Sequence, residues 1–162
     1  MISKHMFYFS GAGPEFIDID KFYIKYKKLS DNAIPPQKTV GNVGIDFFTN
    51  INEEVTIYPG ERVKLSTGIC LEIPAGYAII LKDRSGFSTN EGMHVLAGVI
   101  DSSYRGEIII CLVNLGTKQV TIKPGQKIVQ GIIIEDIPIQ FEEVKVLSNT
   151  DRGTKGFGST GK

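Results

Sequence analysis

Three features of the sequence point to an all-β fold. Short β-rich runs recur along the chain, each closed by a Gly, Pro or Asn break; no window carries a 3.6-residue hydrophobic period; and Pro-Gly pairs stand between runs. That pattern, without alternating helices, describes a sandwich, a barrel or a jelly roll. With 162 residues and 41% hydrophobic content, one compact domain with its own core is expected.

Taken in order, residues 1–15 read as a flexible arm. Their apolar run at Met6 to Phe9 is too short for a signal-peptide core. Residues 16–29, FIDIDKFYIKYKKL, alternate at period two, the pattern of a strand with one buried face. Residues 30–39, with Pro35-Pro36, form an extended connector. Strands then follow at 44–49, 55–58, 62–65, 77–81, 107–114, 120–122 and 127–135, with a single short helix near 88–92. Residues 55–63, VTIYPGERV, echo residues 120–128, VTIKPGQKI, and Pro-Gly suits the centre of a type II turn in both. The domain proper is therefore 16–150, followed by a mobile tail at 151–162 in which glycine dominates.

Charge and cysteine usage narrow the function. Eighteen basic and eighteen acidic residues cancel, so no global field recruits nucleic acid or an anionic membrane. No apolar run approaches a membrane span, and the chain is expected to be soluble and intracellular, in the cytoplasm or nucleus. Cys70 and Cys111 sit in apolar runs and read as buried thiols of a reducing compartment, not as a disulfide or zinc pair. His5 and His94 have no partner at ligand spacing.

Four stretches carry chemistry. In residues 97–106, AGVIDSSYRG, a carboxylate and a phenol follow a small-residue turn; the same letters also suit a solvated Asx turn. Lys82-Asp83-Arg84-Ser85-Gly86 ends a strand with a cation, a hydroxyl and a glycine, donors suited to an oxyanion. Gln130 interrupts an apolar strand, where its amide either braces the core or reaches a ligand. The tail offers Arg152, two lysines and Phe157 among glycines. Residues 156–162 match G-x-x-x-x-G-K, but no strand precedes them, so a P-loop is not expected.

In order, GIDFF at Gly44, DRSG at Asp83, AGVIDSSYRG at Ala97, GQKIVQ at Gly125 and RGTKGFGSTG at Arg152 resemble the five motifs of the homotrimeric dUTP pyrophosphatases, the dUTPases. The resemblance spans residues 28–162 and implies a distorted jelly-roll β-fold. It further implies a homotrimer with three active sites, hydrolysis of dUTP to dUMP and pyrophosphate, and Mg2+ on the triphosphate. That activity limits uracil incorporation into DNA and supplies dUMP for dTMP synthesis.

Carried onto this chain, Asp101 is the general base that prepares the attacking water, and Ser85 and Gln130 complete the catalytic set. Tyr104 excludes a ribose 2′-hydroxyl, while the backbone of Leu96, Ala97 and Gly98 reads the uracil edge. Arg84 and Gly86 hold phosphates, Arg152 reaches the γ-phosphate, and Phe157 caps the base with Gly158 and Ser159 beside it. No side chain is expected to ligate the metal directly; Asp46 either contacts it through water or is structural.

Two departures from the family pattern stand out. Asp83 occupies a place where proline is common, putting a carboxylate beside a phosphate site, and Leu96 is bulkier than usual. The related dCTP deaminases carry a catalytic glutamate five residues beyond the glycine of the third motif, where this chain has Cys111, whose thiol cannot replace a carboxylate. A binding or regulatory protein that keeps the pocket without chemistry is the alternative from another class; the intact Asp101, Tyr104, Arg84 and Arg152 speak for an enzyme.

Overall fold

The computed structural model describes residues 5–9, 12–17, 22–154 and 156. Among the described residues, thirteen strands and one helix follow in chain order: β1 (His5–Phe9), β2 (Ala12–Ile17), β3 (Lys25–Lys28), β4 (Gln37–Lys38), β5 (Ile45–Phe48), β6 (Val55–Ile57) and β7 (Arg62–Glu72). Then come β8 (Tyr77–Asp83), α1 (Ser85–Glu91), β9 (Met93–Leu96), β10 (Val99–Asp101), β11 (Glu107–Asn114), β12 (Val120–Ile122) and β13 (Lys127–Glu135). One sheet has the order β10-β8-β13-β5-β4 and another β3-β7-β11-β9, while β12-β6 and β1-β2 form two-stranded ladders. The fold is all-β and jelly-roll-like, as the short runs and turns predict.

Period-two alternation builds the core. Along β11 the even-numbered residues Ile108, Ile110, Leu112 and Asn114 are buried, while the odd-numbered ones face outward. Inner faces of both larger sheets meet in a single apolar cluster that includes Phe47, Ile69, Ile79, Ile110, Leu112 and Val129. Asn114 is fully buried yet satisfied: Nδ2 donates to the carbonyls of Ile57 at 2.9 Å and Lys118 at 2.8 Å, and Oδ1 accepts from Gly116 N–H at 2.9 Å. A polar residue in the core thus locks β11 to β6 and to the loop before β12.

The two echoing segments pair with each other. Val120 lies opposite Ile57, Thr121 opposite Thr56 and Ile122 opposite Val55, with the threonine hydroxyls 3.1 Å apart. Both Pro-Gly turns close alike: Glu61 N–H reaches Tyr58 O at 3.0 Å and Gln126 N–H reaches Lys123 O at 3.2 Å. Gly60 and Gly125 take φ 81° and 68°, the positive values that such turns require.

Several boundaries differ from expectation. Part of the expected N-terminal arm, β1 and β2, is paired as a hairpin, consistent with the β-propensity of Phe7, Tyr8, Phe9 and Phe16. The single strand expected over 16–29 is split between β2 and β3, and all four residues of β3 are exposed. β3 is an edge strand, and its lysines sit where an unpaired edge favours charge. The helix begins at Ser85, three residues earlier than expected, and β7 continues past Leu65 to Glu72. Cys70 and Cys111 are half-buried free thiols, because both fall on the outward face of the β7–β11 ladder.

Candidate active site

Strand β8 organises the site, since it carries a different group of motif residues at each end. At its C-terminal end β13 crosses between β8 and β5, placing Gln130 opposite both Lys82 and Asp46. Arg84 follows β8 in extended conformation, and its Nη1 donates to Lys127 O at 3.0 Å. Its Nε stands 3.6 Å from Asp46 Oδ1, and Lys127 Nζ lies 2.9 Å from Asp46 Oδ2. Gln130 Nε2 donates to Asp83 O at 2.8 Å. Gly44 makes room for that amide, as a Cβ there would collide with Gln130 Oε1. Arg84 passes directly into α1, whose N-cap has no side-chain hydrogen bond and whose first turn has no acidic residue. Ser85 and Gly86 open that turn, both exposed, with N–H groups that have no partner inside the helix.

The turn 96–98 packs beside Leu81, and from it β10 runs toward the N-terminal end of β8. Ala97 takes φ 62°, a conformation that side chains other than glycine adopt rarely, and Gly98 takes φ 118°. Gly98 O accepts Leu81 N–H at 2.7 Å, and a Cβ on Gly98 would lie 3.0 Å from that of Leu81. The turn therefore packs tightly on β8, and β10 continues the pairing with Asp101 opposite Ala78. Tyr104 follows through a bond from its N–H to Asp101 O at 3.1 Å, and its hydroxyl donates to Glu107 O at 3.0 Å. The ring covers Gly106, where any Cβ would strike it. Leu81, Ala97, Gly98, Asp101 and Tyr104 border a cavity of about 230 Å³.

The motif aspartates are held in different ways. Asp46 is engaged by Arg84 and Lys127, which supports the structural alternative weighed for it. Asp83 turns away from the phosphate side: Oδ1 accepts Val95 N–H and Oδ2 meets His94 Nδ1, both at 2.7 Å. Asp101 is exposed, and its carboxylate has no partner among the described residues. Lone pairs of Asp101 are therefore open to water or substrate, the state a general base requires.

Asp101 and Arg84 stand far apart along β8. From Ala78, opposite Asp101, to Arg84 is six residues along an extended strand, about 20 Å at 3.3 Å per residue. Asp46, Arg84, Ser85, Gly86 and Gln130 come together at the C-terminal end of β8, while Asp101 lies opposite Ala78 toward its N-terminal end, with Tyr104 beyond it and the 96–98 turn in between beside Leu81. Arg152 lies exposed beside a turn closed by Gly153 N–H to Thr150 O at 3.0 Å. Phe157, Gly158 and Ser159 lie outside the described residues. Lys127, His94 and Gly44 were not singled out from the sequence. Lys127 stands within the fourth motif, but its tie to Asp46 depends on a strand pairing across more than eighty positions.

Against the protein families, residues 30–161 match the dUTPase model. A deoxyuridine 5′-triphosphate nucleotidohydrolase of Hydrogenobaculum sp. is 45% identical over 138 residues, covering 83% of this chain and 95% of the relative. The chain belongs to the dUTPase family. A Bdellovibrio bacteriovorus dUTPase relative is 40% identical over 148 residues, 89% of this chain and 99% of its own length. Among solved structures, the Staphylococcus bacteriophage 80alpha dUTPase G164S mutant with dUpNHpp superposes with a TM-score of 0.79 at 26% identity, over 88% of this chain and all of that one. A phage phi11 dUTPase mutant, 23% identical with a TM-score of 0.71 over 78% of this chain and 99% of its own, shares the fold; its structure concerns the coordination of a structural Mg(II) ion. Among the described residues of this dUTPase-family chain no cluster of three His, Cys, Asp or Glu side chains could hold a metal, and no helix is long and apolar enough to cross a membrane.

Proposed function

We propose that this chain is a dUTP diphosphatase that converts dUTP to dUMP and pyrophosphate in sites shared between copies of itself. The observation that carries the reading is the placement of the motifs: one end of β8 presents an open carboxylate beside a pocket, the other a set of phosphate-type donors.

Asp101 accepts a proton from a water directed at the α-phosphorus, a role usually worth about 10²–10⁴-fold. Tyr104, held by Glu107 O and packed over Gly106, presents its ring to the sugar and leaves no room for a 2′-hydroxyl. The 96–98 turn offers backbone groups to the uracil edge; a mismatched base leaves them unpaired, which rejects cytosine by about 10⁴–10⁵-fold. From a neighbouring copy, Arg84, Ser85 and Gly86 grip the phosphates, with Gln130 holding the strand end beneath them. Arg152 and Phe157 of the tail close the site over the γ-phosphate and the base, with Gly158 and Ser159 beside them. Mg2+ bound to the triphosphate would neutralise its charge. A metal held mainly by phosphates and water needs few protein carboxylates. Asp46 already has both oxygens engaged by cations, so a contact to the metal through water is the lesser of its two roles.

The assembly is a homotrimer in this reading. Residues 136–147 follow β13 without strand pairing and expose Ile137, Ile139, Phe141, Val146 and Leu147. Alternate apolar residues of this kind describe a strand whose sheet belongs to another copy. The cellular role is removal of dUTP before its incorporation into DNA, together with supply of dUMP, in a soluble intracellular setting.

The test is pyrophosphate release measured in parallel on dUTP, dCTP, dTTP and UTP, with and without Mg2+. A strong preference for dUTP is expected. Equal rates on all four nucleotides would leave a general nucleotide pyrophosphatase instead, and ammonia release from dCTP would mark a deaminase.

A further inference from the structure

Asp83 immediately precedes the phosphate-side donors Arg84, Ser85 and Gly86, and the proposed chemistry does not use its carboxylate. Its two carboxylate oxygens bond Val95 N–H and His94 Nδ1 of β9, and its main-chain carbonyl accepts Gln130 Nε2 of β13. A carboxylate of this kind only accepts, so His94 donates from Nδ1. One residue thus ties β8 to two other strands immediately before the chain passes into Arg84, Ser85 and Gly86.

The segment between these ties, residues 84–94, contains α1. Seven residues are too few for a helix to hold its own conformation. Its placement depends on the burial of Phe87, on the bond from Leu115 N–H to Gly92 O at 2.9 Å beyond its C-terminus, and on the Asp83 ties at its start. Side-chain bonds from Asp83 tie the end of β8 directly to β9 at this point. The bond from His94 also holds the negative charge on the β9 side, away from the donors that would meet a triphosphate.

We propose that Asp83 is a positioning residue for phosphate binding: by fastening the end of β8 to β9 it sets the direction in which Arg84 and Ser85 leave the sheet. The inference rests on the dUTPase reading above. It predicts a larger effect on the triphosphate than on the monophosphate, since Asp83 directly precedes Arg84 and Ser85 but reaches the 96–98 turn only through Val95 N–H.

The experiment uses the full chain with Asp83→Ala, Asp83→Asn and His94→Ala, measuring kcat and KM on dUTP and the inhibition constant of dUMP. Loss of two charge-assisted bonds in Asp83→Ala should raise KM for dUTP by about tenfold, with kcat lowered less than about threefold and dUMP inhibition within about twofold of wild type. Asp83→Asn still offers an oxygen to Val95 N–H and should recover most of that KM. Should Asp83→Ala not fold, His94→Ala carries the test, because His94 is half-exposed and outside the core; a rise of about threefold in KM with dUMP unaffected is expected. An unchanged KM for dUTP, or equal weakening of dUTP and dUMP, overturns the inference. Wild-type protein in the same assay separates the two readings: no dUTP turnover there sinks the function itself, whereas normal wild-type turnover beside an unaffected variant sinks only the role of Asp83.

Discussion

Three aspartates stand in the first three motifs, and their surroundings give them three different duties. Asp46 neutralises two cations, Asp83 fastens strands, and only Asp101 faces outward with its carboxylate uncommitted among the described residues. Asp101→Asn keeps the size and the backbone pairing to Ala78 but removes the basic lone pair. It should lower kcat by about 10²–10⁴-fold while dUMP inhibition stays within about threefold. A kcat within threefold of wild type, read by the same pyrophosphate assay, would remove Asp101 from the base role. The position of Asp101 was legible in the sequence because a carboxylate after a strand and a glycine turn can be seen locally. The direction of Asp83 was not, because its partners are a backbone N–H and an imidazole more than ten residues away on another strand.

Among the elements, period-two alternation located most of the strands, and β11, β12 and β13 fall at the residues expected from it. Alternation missed β4, β9 and β10, which have two, four and three residues and too little length to show a period. It also allotted β3 a buried face that the edge position does not provide. The pairing of β6 with β12 has a polar lock that no periodicity suggests, since Asn114 occupies a core position of β11. Asn114→Ala leaves the Ile57 and Lys118 carbonyls and the Gly116 N–H to find other partners. It should cost about 1–3 kcal/mol, visible in urea unfolding as a lower midpoint with an unchanged slope. An unaltered midpoint would mean that water replaces the amide at no cost.

For the whole molecule, the proposed sharing of sites between copies turns on the length of β8. About 20 Å of strand separates the residues that carry Asp101 and Arg84, and in the proposed function different copies supply them to one nucleotide. Asp101→Asn and Arg84→Ala proteins should each be nearly inactive alone. Mixed and allowed to exchange subunits, they should recover about a quarter of wild-type activity, since random assembly leaves one site in four with both intact groups. No recovery after exchange is verified by mass would show that each site is built within one chain. The tail is expected to be needed for activity and not for folding.

The all-β class, the order of the motifs and the chemical types available to them follow from the sequence, because alternation, turn residues and side-chain chemistry are local properties. Which of those groups meet depends on strand pairing. The antiparallel register of β5, β13 and β8 gathers Asp46, Gln130 and Arg84 at one end, and the pairing of β10 with β8 sends Asp101 to the other. Register depends on residues far apart in the chain, and a strand's rise of about 3.3 Å per residue turns a difference in register into distance between reacting groups.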